Sequence, residues 1–124
     1  MIRGSFSLDR DFPEVVLPVF FGQKVLHLPF ILDTGFSGDL KIDEKTAVDL
    51  GITVTNEGYF INANGESVPA GTVRGYADME GRKVHVTIII KNGASLAGGA
   101  LFSALGYKVV VDYKNREAHL ERVN

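Results

Sequence analysis

The run Leu28-Pro29-Phe30-Ile31-Leu32-Asp33-Thr34-Gly35-Phe36-Ser37-Gly38 carries one acidic residue out of an apolar strand and into a tight Thr-Gly turn. A carboxylate at the end of a buried strand is costly unless it is hydrogen-bonded or put to use. Two uses fit the residues. The carboxyl can move a proton during bond cleavage, or it can form an Asx turn that satisfies nearby backbone amides. Asp33-Thr34-Gly35 alone leaves both open.

Other chemistries have weaker support. His27, His85 and His119 fall on separate predicted strands, and no His-x-x-x-His or acidic cluster has ligand spacing, so no metal is expected. Ser37 has neither an elbow motif nor a base close in sequence. Leu96-Ala97-Gly98-Gly99 before a helix has the small residues of an anion-binding turn but lacks a following Lys-Ser/Thr pair. No cofactor is expected.

The elements that must hold Asp33 are mostly strands. Glu14 to Phe21 reads as one, with Pro18 marking an edge or a bulge. Gly22-Gln23-Lys24 turns the chain, and Val25 to Leu32 returns it to Asp33. Asp39 to Ile42 is a short strand, and Asp43 caps a brief helix closed by Gly51. Gly58 to Ala63 and Ser67 to Met79 flank Asn64-Gly65, a strong hairpin signal. Lys83 to Ile90 is a strand that begins alternating and ends apolar. A second helix is expected over Ala100 to Leu105, with Gly106 as its stop. Tyr107 to Tyr113 and Arg116 to Val123 form a last hairpin around Lys114-Asn115. Short strands between turns, with one or two small helices, predict an all-β, closed or nearly closed barrel.

A chain of 124 residues is read as one domain spanning 1–124. Its formal net charge of −2 offers no basic field for nucleic acid or anionic lipid. Cysteine is absent, which removes disulfides and thiolate metal sites. No apolar run approaches the ~18 residues of a membrane span. The expectation is a soluble, cytoplasmic protein without nucleic-acid or membrane partners.

Four features, in this order, resemble the retropepsin-like (clan AA) aspartic proteases, in the predicted prokaryotic subgroup that carries Asp-Thr-Gly-Phe. They are Phe30 to Phe36; the strand Leu40-Lys41-Ile42 with its short helix; the hairpin carrying Asn62-Ala63-Asn64-Gly65-Glu66 and Val68-Pro69; and Leu96 to Phe102 followed by Val109-Val110-Val111-Asp112-Tyr113. The resemblance implies a small pepsin-like barrel that acts as a homodimeric aspartic endopeptidase on a peptide or protein substrate. Asp33, Thr34 and Gly35 are then the catalytic loop, Asp33 supplying the carboxyl and Thr34 bracing the loop across the two-fold axis. Phe36 lines the substrate cleft or packs the core, and Ala63, Asn64 and Gly65 sit near the tip of a flap over the substrate. Leu96, Ala97 and Gly98 support the catalytic loop from beneath. One Asp-Thr-Gly per chain makes a second copy necessary, and the resemblance places the joint in a sheet shared through Met1 to Phe6 and His119 to Asn124.

The sequence departs from the family at two positions. Ala97 stands where relatives carry a second large aliphatic, and Gly99 where they carry methionine or a polar residue. Both changes remove volume behind the catalytic loop. They motivate an alternative: a non-catalytic peptide-binding module that keeps the retropepsin fold.

Overall fold

The structure is a computed structural model and describes residues 1–123; Asn124, the end of the expected terminal joint, lies outside the described residues. The strands are β1 (Ile2–Arg3), β2 (Ser5–Phe6), β3 (Pro13–Phe21), β4 (Lys24–Asp33), β5 (Leu40–Asp43), β6 (Asn56–Ile61), β7 (Ser67–Met79), β8 (Arg82–Lys91), β9 (Leu96–Gly98), β10 (Tyr107–Asp112) and β11 (Glu117–Arg122). Helix α1 (Glu44–Asp49) follows β5, and α2 (Gly99–Ala104) follows β9.

Alternation in the long strands decides which side chains turn inward. On β3, Val15, Leu17 and Val19 are buried; on β4, Leu28, Phe30 and Leu32; on β8, Val86, Ile88 and Ile90. Leu40 and Ile42 of β5 and Val73, Ala77 and Met79 of β7 complete the lining, and Leu101 and Phe102 of α2 plug it. Burying each large aliphatic stabilises the fold by about 1.5–3 kcal/mol. The expected barrel is present. Six strands close on themselves in the order β3-β4-β9-β5-β8-β7, with β7 returning to β3. β2 and β6 extend the sheet beyond the ring.

The expected strand boundaries differ from the observed ones by a residue or two, except at β9. That three-residue strand enters between β4 and β5, parallel to one and antiparallel to the other. No periodicity is visible in so short a segment, so its pairing is set by its neighbours. Pro18 pairs with His27 in unbroken register with β4. On its other side β3 meets β2 only at Pro13 and Glu14 and β7 only at Val19 and Phe20, so the missing N–H falls on a locally open edge.

The terminal segments pair within the chain. β1 pairs with β11 of its own chain, Ile2 opposite Leu120 and Arg3 opposite His119, while β10 fills the other side of β11. Both edges of β11 are therefore occupied within one subunit, and β1 and β10 are the open edges of this three-stranded sheet. The sheet packs Ala118, Leu120 and Val109 on the core. Tyr107 fastens it to the β7–β8 turn, its hydroxyl donating to Glu80 Oε1 at 2.7 Å. Burial and this acceptor push the Tyr107 phenol up to about 12.

The barrel seam is narrow. β3 and β7 share two residue pairs, Val19 with Ala77 and Phe20 with Tyr76. A β-carbon at Gly75 would lie 2.6 Å from the Phe20 carbonyl oxygen, so the strands meet only because that position has none. Gly75→Ala is expected to cost about 1–3 kcal/mol in chemical denaturation. It should also speed amide exchange at Val19 and Phe20 relative to Phe30; unchanged stability and exchange would show that the seam tolerates separation.

Candidate active site

β4 delivers Asp33 to the barrel rim, half-buried, with Thr34 and Gly35 exposed beyond it. The turn is closed by the Phe36 N–H donating to the Asp33 carbonyl at 3.1 Å. The Gly35 N–H donates to Asp33 Oδ1 at 3.0 Å, so the side chain makes an Asx turn while its other oxygen stays available. A β-carbon on Gly35 would lie 3.3 Å from Oδ1. The two readings of Asp33 are thus compatible: the amide that satisfies the carboxyl also orients it.

β9 and the start of α2 clasp this loop from below. Ala97 sits in register between Leu32 and Leu40, and Gly98 stands opposite Asp33. The Gly98 N–H donates to the Asp39 carbonyl at 2.9 Å, the Gly99 N–H to that of Phe36 at 2.8 Å, and the Ala100 N–H to that of Gly38 at 3.3 Å. Three successive amides therefore hold the loop that follows Asp33. The approach is closest at Gly98, where a β-carbon would meet the Phe36 carbonyl, the Phe36 ring and the Gly38 carbonyl, each at 2.5 Å. Ala97 is fully buried, so its methyl fits the space between the flanking strands. At Gly99 a β-carbon would find only ordinary contacts, 3.6 Å from the Phe36 oxygen and 3.9 Å from that of Thr34.

The β6–β7 hairpin crosses above. Its tip is organised by Asn62, whose Oδ1 accepts the N–H groups of Asn64 and Glu66, both at 3.0 Å. The Gly65 N–H donates to the Asn62 carbonyl at 2.9 Å. Ala63, Asn64 and Gly65 are exposed at the tip, and among the described residues no hydrogen bond joins them to residues 33–36. The hairpin meets the loop further back. The Phe60 ring packs on buried Phe36 with centroids 6.1 Å apart, so Phe36 both fills space over Gly98 and forms a wall beneath the hairpin. β6 is the last strand of its sheet, and its outer edge is unpaired among the described residues.

Register places Ile31, Leu96, Lys41 and Ile89 side by side in one row across β4, β9, β5 and β8. Core-facing Leu32, Ala97 and Leu40 alternate with them, so the row shares the outer sheet face with Asp33. Lys41 is the exception in this apolar row, and it is only 3% exposed. Its Nζ donates to the Ala94 carbonyl at 2.8 Å and lies 5.8 Å from the centroid of the Phe60 ring. Burial pulls the ammonium below the ordinary lysine range, opposed by the charge of Asp43.

No protein-family model matches the sequence, and no curated protein matches it. Solved structures do. EIAV protease complexed with the inhibitor HBY-793 superposes with a TM-score of 0.61 at 15% identity, over 85% of this chain and 98% of that one. A retropepsin-like aspartic protease from Rickettsia conorii gives 0.61 at 19% identity, over 98% of this chain and 89% of that one. The fold is retropepsin-like. At these identities the likeness is one of fold, and it extends across most of the retropepsin-like chain in each case.

Within that retropepsin-like frame, Asp33 to Phe36 and Leu96 to Gly98 come together, whereas the hairpin tip touches neither by hydrogen bond. Phe60, Asn62 and Lys41 are additions to the expected set. Asn62 is legible as an Asn-x-Asn-Gly turn former; Lys41 in Leu-Lys-Ile reads as a solvent-facing residue until the hairpin covers it.

Two outcomes follow. Gly98→Ala should cost about 3 kcal/mol or more, because two of the atoms it strikes are backbone, while Gly99→Ala should stay within about 1 kcal/mol of the parent. Equal effects in denaturation would contradict the clasp. Lys41→Met should raise Tm, because it removes a buried ammonium that has no carboxylate partner. A folded Lys41 with a depressed pKa also weakens the native state below that pKa, so the parent's deficit against Lys41→Met should shrink as pH rises toward the unfolded lysine value. A lowered Tm would mean that the Ala94 hydrogen bond outweighs desolvation.

Proposed function

We propose that the protein is an aspartic endopeptidase, active as a two-fold homodimer in which each subunit contributes Asp33. The observation that carries this reading is the clasped Asp33-Thr34-Gly35 loop at the rim of a retropepsin-like barrel, with one carboxyl oxygen held by the Gly35 amide. One chain supplies one carboxyl, and peptide hydrolysis at such a site needs two. A second subunit, related by a two-fold axis through the Thr34-Gly35 face, brings the partner acid. Exposure of Thr34 and Gly35 in a single chain is consistent with that contact, as are the open edges of β1 and β10.

Two carboxyls about 3 Å apart cannot both ionise, so they share one proton. The ionised member takes a proton from water as its oxygen attacks the scissile carbonyl carbon, and the protonated member gives its proton to the carbonyl oxygen. Collapse of the tetrahedral diol breaks the C–N bond as the first carboxyl passes the proton gained from water to the amine. A diol hydroxyl gives its proton to the other carboxylate, which leaves one proton on the pair again. The extended substrate lies between the hairpin and the Asp33 loop, where the unpaired edge of β6 offers backbone hydrogen bonds. Phe36 and Phe60 form part of the wall, and the Ala63-Asn64-Gly65 tip closes over the chain. Leu96, Ala97 and Gly98 keep the loop in place. The full burial of Ala97 favours an intact support over the loosened one that a binding-only module would call for.

A subunit-mixing experiment tests the reading. Asp33→Asn alone should abolish cleavage of an unstructured protein substrate while preserving the fold. When it is equilibrated in ninefold excess with a fixed amount of parent protein, activity should fall to about a tenth, because nearly every parent subunit then sits in a heterodimer. Activity that stays constant under this titration would show that one chain suffices, and cleavage by Asp33→Asn itself would remove the dyad.

A further inference from the structure

We propose that Lys41 is a specificity residue of the substrate cleft and selects a peptide with an aspartate or glutamate side chain at the subsite beside the Asp33 loop. The inference rests on the aspartic-endopeptidase reading and extends it to a class of substrate. Its support is the register. Lys41 lies between Leu96 and Ile89 in the outer row that also holds Ile31, on the face to which Asp33 belongs. Phe60, the hairpin residue that rests on Phe36, also lies over the Lys41 ammonium. The ammonium therefore stands at the wall of the space between hairpin and loop.

The charge there is incompletely satisfied. Among the described residues Lys41 makes one hydrogen bond, to the Ala94 carbonyl, leaving two of its three N–H donors without a protein acceptor. No carboxylate lies within ion-pairing distance among those residues. Asp43, two residues on along the same strand face, is engaged through Oδ1 by the Gly93 N–H at 3.0 Å. The neighbouring cation Lys91 donates to the Pro69 carbonyl at 3.3 Å. The remaining neighbours in the row, Leu96 and Ile89, are apolar. An unpaired ammonium held in an apolar wall costs stability unless something outside the chain completes it. A peptide entering between hairpin and loop parts Phe60 from Lys41, and a side-chain carboxylate can then take the ring's place with a charge-assisted hydrogen bond. A glutamine or asparagine of the same shape brings only a neutral acceptor.

Fluorescence anisotropy with Asp33→Asn protein measures this without cleavage. Labelled extended peptides, identical except for Glu or Gln at each position in turn, are compared. At one position Glu should bind about tenfold more tightly than Gln, and in Asp33→Asn/Lys41→Met the two should fall within about twofold of each other. Equal Glu and Gln affinities at every position overturn the assignment, whether or not the Lys41 variant folds. Cleavage of the same peptides by the parent protein separates the two claims. A Glu preference in binding with no cleavage would sink the peptidase reading and leave Lys41 in its role. Cleavage without any Glu preference would sink Lys41 and leave the peptidase. Absence of binding by every peptide would sink both.

Discussion

The contact on which the site depends is the approach of the Gly98 backbone to the loop that follows Asp33. β4 and β5, neighbours in sequence, are held apart by β9, a strand from much later in the chain that approaches at Gly98 with a backbone without a side chain. Into the space this leaves fit the Phe36 and Gly38 carbonyls, 2.5 Å from where a β-carbon would stand. The amides of Gly98, Gly99 and Ala100 satisfy carbonyls that the turn would otherwise leave unpaired. The loop is thus positioned by hydrogen bonds from β9 and the start of α2 as well as by those of its own Asp33-to-Phe36 turn. That is the condition for a carboxyl to stay within a few tenths of an ångström of a reacting atom.

From this constraint the rest is ordered outward. Because β9 takes the slot between β4 and β5, the barrel needs β7 to return to β3 to close, and Gly75 permits it. Because Asp33 ends β4 on the outer face, the side chains of that face (Ile31, Leu96, Lys41 and Ile89) become its surroundings. The hairpin then covers them with Phe60. A buried lysine in such a row is a destabilising choice by any accounting of desolvation. Its place beside the loop fits the proposal that this position is governed by what binds there rather than by what folds best.

What the sequence discloses follows the range of the interactions involved. The Asp33 turn and the Asn62-to-Glu66 hairpin are local: an apolar strand entering Asp-Thr-Gly and an Asn-Gly pair between alternating runs specify them within a few residues. The long strands are equally legible from their alternation. β9 is not, since Leu96-Ala97-Gly98 has too few residues to show a period and takes its conformation from two distant partners. The same holds for β1 and β2, two residues each: β1 pairs with β11 and β2 with β3, which leaves β1 and β10 as the open edges of the terminal sheet. Lys41 illustrates a further limit. Its place between Leu40 and Ile42 marks it as outward-facing, which is correct, but the outer face is covered at that point by Phe60 from a segment some twenty residues away. Of the two positions read from sequence as a loosened support, Ala97 is fully buried between β4 and β5, and Gly99 at the start of α2 has room for a β-carbon.

The central claim is that this clasped loop is half of a reaction centre. The most direct measurement is a crystal structure of the protein with a bound peptide transition-state analogue, reading the distance between the nearest Asp33 carboxyl oxygens of two subunits. The account predicts a two-fold dimer with those oxygens about 3 Å apart and the analogue's hydroxyl between them. A single subunit around the ligand, or a dimer whose Asp33 carboxyls lie beyond hydrogen-bonding reach of one another, would contradict it.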